Sequence, residues 1–208
     1  MADSPHTAPP PGDVTFASSY LEDLCSVISG LDPEAIATAI DWMRQTRDGD
    51  GTIFICGNGG SASIASQMVV DIVKGASLRK AARFKMIGLT DSIATITAYA
   101  NDEGYETVFE EPLRNFARPG DLVMGISGSG NSENVLRAMR LAGETGCRTV
   151  GLTTGEGGAL KDLVELALAV PSSHMGRLED CFFIMTHVLC YAFMESDCPV
   201  VSRQAERT

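Results

Sequence analysis

Gly125-Ile126-Ser127-Gly128-Ser129-Gly130-Asn131-Ser132 follows the apolar run Leu122-Val123-Met124 and leads into a helix-forming stretch that reaches about Ala142. The segment reads as strand, loop and helix in turn. A helix N-terminus presents unbonded N–H groups and the positive end of the helix dipole, so it attracts anions. Glycine lets a ligand approach the backbone, and the hydroxyls of Ser127, Ser129 and Ser132 add donors. Upstream, Cys56-Gly57-Asn58-Gly59-Gly60-Ser61 repeats the arrangement after an apolar run at Thr52–Cys56. Each loop also fits a plain tight turn whose serine caps the next helix. Two such loops in one small chain tip the balance toward an anion, and the second, denser loop is assigned the phosphate. No Gly-Lys-Ser/Thr follows, as in a nucleotide phosphate loop, and no GxGxxG is followed by a ribose-binding acid. A dinucleotide is the weaker alternative, and no nucleotide cofactor is expected.

Working outward, short apolar runs alternate with helical stretches. Strands are predicted at 52–56, 85–89, 121–126, 149–152 and 167–170. Helices are predicted at 16–30, 33–47, 61–73, 106–117, 133–142 and 177–194. Asp32-Pro33-Glu34 supplies an N-cap followed by proline at the first helical position. This alternation means βαβ units and an α/β fold: a five-stranded parallel sheet sandwiched by helices, flavodoxin-like, with an N-terminal helical extension. In the strand order 2-1-3-4-5, strands 1 and 3 are neighbours at the switch point, where ligands bind beyond the carboxyl ends. Both Gly/Ser loops then face one crevice. The domain reading is a proline-rich tail at 1–13, a single domain at 14–196 and a tail at 197–208.

The 208 residues are 44% apolar and suit one domain with a sizeable core. With 16 basic and 27 acidic residues the net charge is −11, which repels nucleic-acid backbones. Cys25, Cys56, Cys147, Cys181, Cys190 and Cys198 form no CxxC pair and read as free thiols in a reducing compartment. The N-terminus lacks a signal-peptide pattern, and the apolar stretch 181–194 is too short to span a bilayer. The expectation is a cytoplasmic protein with neither membrane nor nucleic-acid partners.

Taken together, Cys56–Ser61, Asn101-Asp102-Glu103-Gly104 and Gly125–Ser132 resemble the sugar isomerase (SIS) domain family, and more narrowly the phosphoheptose isomerases. The resemblance runs from about residue 16 to residue 195. It implies an aldose–ketose isomerase acting on a phosphorylated sugar, converting sedoheptulose 7-phosphate to D-glycero-D-manno-heptose 7-phosphate through an enediol. It also implies a homotetramer with active sites at subunit interfaces. Substrate contacts are implied at Asn58, Gly59, Gly60, Ser61, Asn101, Asp102, Ser127, Gly128, Ser129 and Ser132. At the family's acid/base and zinc positions, His, Glu, Gln and His, this chain carries Gln67, Asp71, Glu179 and His187.

Such an isomerisation needs a general base, a group that moves hydroxyl protons and stabilisation of the developing oxyanion. Gln67 and Asp71 share a helix face, as do Glu179 and His187. Asp71, His187 and Glu179 are therefore the catalytic candidates, and the same three with Gln67 are the candidate ligands of zinc or another divalent metal. Asp71 sits among Val69, Val70, Ile72 and Val73, where a carboxylate calls for a partner. His187 equally fits a core histidine, Glu179 a helix-terminal charge, and Asn101-Asp102 an Asx turn. His174 is a second-ranked candidate. Three functional readings stay open: a rearranged but active isomerase, an isomerase of another sugar phosphate, and a phosphosugar-binding or regulatory protein.

Overall fold

The computed structural model describes residues 10–196 apart from Gly157. Cys198, the tail predicted at 197–208 and residues 1–9 of the N-terminal tail lie outside the described residues. Pro11–Asp13, read from sequence as tail, are instead the first turn of α1 (Pro11–Ser29), where proline fits because the helix's first N–H groups have no acceptor. In α2 (Pro33–Asp48), Asp32 Oδ1 accepts from the N–H groups of Glu34 and Ala35 at 2.9 and 3.1 Å, the predicted cap. Helix α2 buries Ala39 and Met43; α1 buries nothing.

Five strands follow: β1 (Thr52–Gly57), β2 (Lys85–Gly88), β3 (Leu122–Ser127), β4 (Arg148–Thr154) and β5 (Leu166–Val170). All pairings are parallel and the order is β2-β1-β3-β4-β5. The expected fold and strand order are present. The helices between strands are α3 (Gly60–Val70), α4 (Ile93–Asp102), α5 (Glu110–Phe116), α6 (Glu133–Thr145) and α7 (Ala159–Leu163), with α8 (Met175–Ser196) last. Side chains alternate across the sheet. Ile53, Ile55, Met124 and Ile126 pack on one face with residues of α2, α3 and α8. Phe54, Cys56 and Val123 pack on the other with Leu113 of α5 and Val135 and Met139 of α6. Both faces are covered, which is why the strands read as unbroken apolar runs.

Three local differences from the sequence reading bear on the site. The helix predicted at 61–73 leaves α geometry at Val70 and continues as a π-turn over Asp71–Gly75, closed by Ala76 N–H to the Asp71 carbonyl at 2.8 Å. Ser77 holds that turn: its hydroxyl donates to the Ile72 carbonyl at 2.8 Å and accepts from Phe84 N–H at 3.0 Å. The helix predicted at 106–117 is a 3₁₀ turn at Tyr105–Thr107 followed by α5. Helix α4 is the helical stretch expected before Asn101-Asp102, which end it, whereas α7 has no counterpart among the predicted elements.

Candidate active site

The loop after β1 turns at Gly59, whose φ of 54° with ψ of −122° is open only to glycine. It delivers the chain to α3, and the loop after β3 delivers it to α6. Neither helix receives a side-chain cap, whereas α2 is capped by Asp32 and α4 by Ser92. Ser132 precedes α6, but its hydroxyl accepts from that of Ser127 at 3.0 Å and bonds no helix N–H. The serine-cap alternative is therefore not what the loops adopt. Asn131 ties the second loop to α7, accepting from Ala159 N–H at 3.0 Å and donating to the Ser129 carbonyl at 3.1 Å.

The two loops are joined by an amide pair. Asn58 and Asn134 each donate to the other's side-chain oxygen at 2.9 Å, and Tyr105 Oη also donates to Asn58 Oδ1 at 2.9 Å. Asn134 is buried on the first turn of α6. Asn58, Tyr105, Ser132 and Asn134 wall a crevice of about 350 Å³ at the β1/β3 switch point, with Glu106 and Glu133 at its edge. A second recess of about 370 Å³ lies on the other flank of the second loop, lined by Gly128, Ser129, Thr154, Glu156, Ser173 and Met175. Sequence reasoning missed Asn134 and Tyr105. Asn134 stands among apolar positions of α6, and that misplacement was the available signal.

About two helical turns past the first loop, Gln67 Nε2 donates to Asp71 Oδ1 at 3.1 Å. Asp71 Oδ2 is buried and receives no hydrogen bond from the described residues. His187 Nε2 lies 3.6 Å from it, within ion-pair range but beyond hydrogen-bond reach. The imidazole is about half exposed and sits between the rings of Phe183 and Tyr191, 6.3 and 6.2 Å away. Glu179 is placed elsewhere: its carboxylate lies against Gly60, in the space a Cβ there would take. The structure thus brings Gln67, Asp71 and His187 together and stations Glu179 at the first loop, against Gly60.

Asn101 and Asp102 end α4, exposed, with Asn101 Nδ2 donating to Asp102 Oδ1 at 2.7 Å. Asp102 lines a separate 150 Å³ depression with Tyr99 and Glu103, and neither residue walls the crevice. His174 belongs to the α1–α8 junction, where its ring stands edge-on to Tyr20 at 5.8 Å. Cys56, Cys147, Cys181 and Cys190 are buried free thiols and Cys25 is exposed. Burial pushes Cys56 up to about 12 and Cys147 to about 11, and raises Cys181 and Cys190 as well. These thiols stay protonated near neutrality and make poor nucleophiles. No helix among the described residues is long and apolar enough to cross a membrane.

The fold and the paired loops define an SIS domain. The model of that family, described as the SIS domain, matches residues 18–154, and the chain belongs to it. Within it the relatives are phosphoheptose isomerases. The enzyme of that name from Nitratiruptor sp. is 41% identical over 144 residues, 69% of this chain and 76% of that one. The one from Geotalea daltonii is 35% identical over 179 residues, 83% and 88% of the two chains. The solved structure of a phosphoheptose isomerase from Francisella tularensis superposes with a TM-score of 0.82 at 28% identity, covering 87% of this chain and 97% of that one.

Proposed function

We propose that this protein is an aldose–ketose isomerase of a phosphorylated sugar, with sedoheptulose 7-phosphate as substrate and D-glycero-D-manno-heptose 7-phosphate as product. The observation that carries the reading is the approach of Asp71 Oδ2 to His187 Nε2 at 3.6 Å from two different helices. A carboxylate oxygen without a donor is a ready base. In this reading Asp71 takes a proton from the ketose C1 and returns it at C2, passing through the enediol. His187 moves the proton between the two oxygens. Glu179, at the first loop, meets a hydroxyl of the chain between the reacting carbons and the phosphate.

The phosphate is assigned to the loop Ser127–Ser132 with Ser129 foremost, and Asn58, Gly59, Gly60 and Ser61 border the sugar. Anchoring a remote phosphate holds the reacting carbons in register and supplies binding energy for the chemical step. Asn101 and Asp102, away from both recesses, are given no role.

Zinc in protein sites takes about four N, S or O donors, of which a catalytic site keeps three from protein. Among the described residues no three His, Cys, Asp or Glu side chains converge. The four candidate ligands split into Gln67, Asp71 and His187 on one side and Glu179 on the other. One imidazole and one carboxylate do not fit a zinc centre, so no step is routed through a metal.

Self-association is part of the proposal. Helix α1 buries no residue and leaves Phe16 and Leu21 exposed, which suits contact with another copy and the tetramer that the resemblance implies.

The test is NMR of sedoheptulose 7-phosphate in deuterated water with the purified protein. Deuterium entering at the reacting carbons together with a new aldose signal is the expected result. Asp71→Asn and His187→Asn should each lower kcat by about 10²–10⁴-fold while leaving phosphosugar binding in place. Line broadening without exchange would replace the isomerase with a phosphosugar-binding protein.

A further inference from the structure

The residue at position 67 has a defined partner. Gln67 Nε2 donates to Asp71 Oδ1 at 3.1 Å, and both side chains are partly buried. A carboxylate on a short side chain has two oxygens and a free rotation that decides which one meets the substrate. Here one oxygen is held by the amide. The other, Oδ2, is buried, has no donor among the described residues and lies on the His187 side. The hold is made where the helix changes from α to π geometry at Asp71. That turn sets the carboxylate's root, and Gln67 sets its plane.

The same bond bears on metal binding. An amide nitrogen has no available lone pair and does not ligate a cation. For Gln67 to serve as a ligand its amide would have to turn its oxygen inward, surrender Asp71 Oδ1 and leave that carboxylate loose. The arrangement therefore opposes a cation at this point, and among the described residues no group of three His, Cys, Asp or Glu side chains is placed to hold one.

We propose that Gln67 is the positioning residue of this site: it fixes Asp71 by a hydrogen bond in the place where a divalent cation would otherwise fix it, and the site turns over without a metal. The inference rests on the isomerase reading above. A positioning bond of this kind acts on the reactive geometry more than on substrate affinity. Its loss is expected in kcat, with KM little changed.

The experiment has two arms on the full chain. In the first, zinc is titrated calorimetrically into protein dialysed against chelator, with no sugar present. The expected result is no binding tighter than about 1 μM to the wild type. Gln67→His places a second imidazole beside Asp71 and His187 and should gain zinc affinity. In the second, isomerisation is followed before and after chelation in the wild type, Gln67→Leu and Gln67→His. Wild-type kcat should stay within about twofold after chelation. Gln67→Leu should lose about 10- to 100-fold in kcat with KM unchanged. Gln67→His, whose ring N–H can donate to Asp71, should recover part of that loss in metal-free buffer. Wild-type activity that collapses on chelation and returns with zinc would overturn the proposal, as would submicromolar zinc binding to the wild type or an unchanged kcat in Gln67→Leu. A wild type that never isomerises, with or without added metal, ends the isomerase reading and the positioning role with it. The zinc titration then still judges the donor set by itself.

Discussion

At the residue scale, two adjacent glycines of the first loop do different jobs, and their alanine variants should separate them. Gly59 has open space around a would-be Cβ, but its φ of 54° with ψ of −122° is strained for any L side chain. Gly59→Ala should lose about 1–3 kcal/mol of stability. Gly60 has an ordinary helical backbone, and its Cβ would meet the end of the Glu179 side chain. That end can swing away, so Gly60→Ala should cost under about 0.5 kcal/mol yet displace Glu179 and lower kcat. Chemical denaturation and steady-state kinetics on the pair decide the matter. Equal stability losses would mean the loop senses side-chain bulk and not backbone conformation. The thiols give a second residue-scale expectation. An unfolded thiol ionises from about its ordinary value of 9.0, whereas burial holds Cys56 protonated to about 12. The contribution is complete below pH 9 and is lost as the pH rises toward 12, so the melting temperature should fall across that window. At pH 8 iodoacetamide should label Cys25 and spare Cys56, Cys147, Cys181 and Cys190. Labelling of Cys56 in the native protein would contradict its burial.

Elements bring these residues together, and the Asn58–Asn134 pair is the link between the two loop–helix units. Each amide satisfies the other at 2.9 Å and Tyr105 adds a third bond. Asn134→Ala leaves the Asn58 amide N–H without its acceptor and its oxygen with Tyr105 alone, beside a buried position. A loss of about 1–3 kcal/mol is expected, seen as a drop in melting temperature of about 2–4 °C per kcal/mol. KM should rise as the second loop loosens from the first. An unchanged KM alongside the stability loss would show that the pair supports the fold and not the crevice. The sheet around this link was legible in the sequence because strands buried on both faces read as apolar runs, and because glycine-serine loops punctuate β1 and β3. The pairing was not legible, since it joins residues 76 positions apart through two amides that each look like an ordinary turn or helix residue. The π-turn at Asp71–Gly75 escaped for a related reason. What holds it is Ser77 bonded to Ile72 and to Phe84 just before β2, a tertiary contact that no helical periodicity carries. Glu179 was placed near His187 by its spacing on α8. The helix does set them on neighbouring faces, but the carboxylate reaches to Gly60, and only the packing of α8 on α3 decides that.

For the whole molecule, the distribution of exposed apolar side chains sets the last expectation. Val70 and Val73 flank Asp71 along the chain, Val188 and Tyr191 follow His187, and all four are 45–49% exposed in the single chain. Asp71 and His187, the proposed acid/base pair, thus have exposed apolar side chains as chain neighbours, and excluding water from such a site strengthens electrostatics during proton transfer. A second copy laid over this surface, as in the proposed self-association, would shield Asp71 and His187 from water. Activity should then depend on assembly. Specific activity should stay constant at high protein concentration and fall on dilution once light scattering reports the 22.1 kDa single chain. Val188→Asp puts a charge into this surface while leaving Asp71 and His187 in place, and should move both the mass and the activity transition to higher concentration. Phe16→Asp with Leu21→Asp, on α1, tests a separate part of the surface. It should dissociate the assembly only if α1 also contributes to the contact. Specific activity that holds steady down to the monomer would show that one chain shields its own acid/base pair, and the assembly would then serve stability alone.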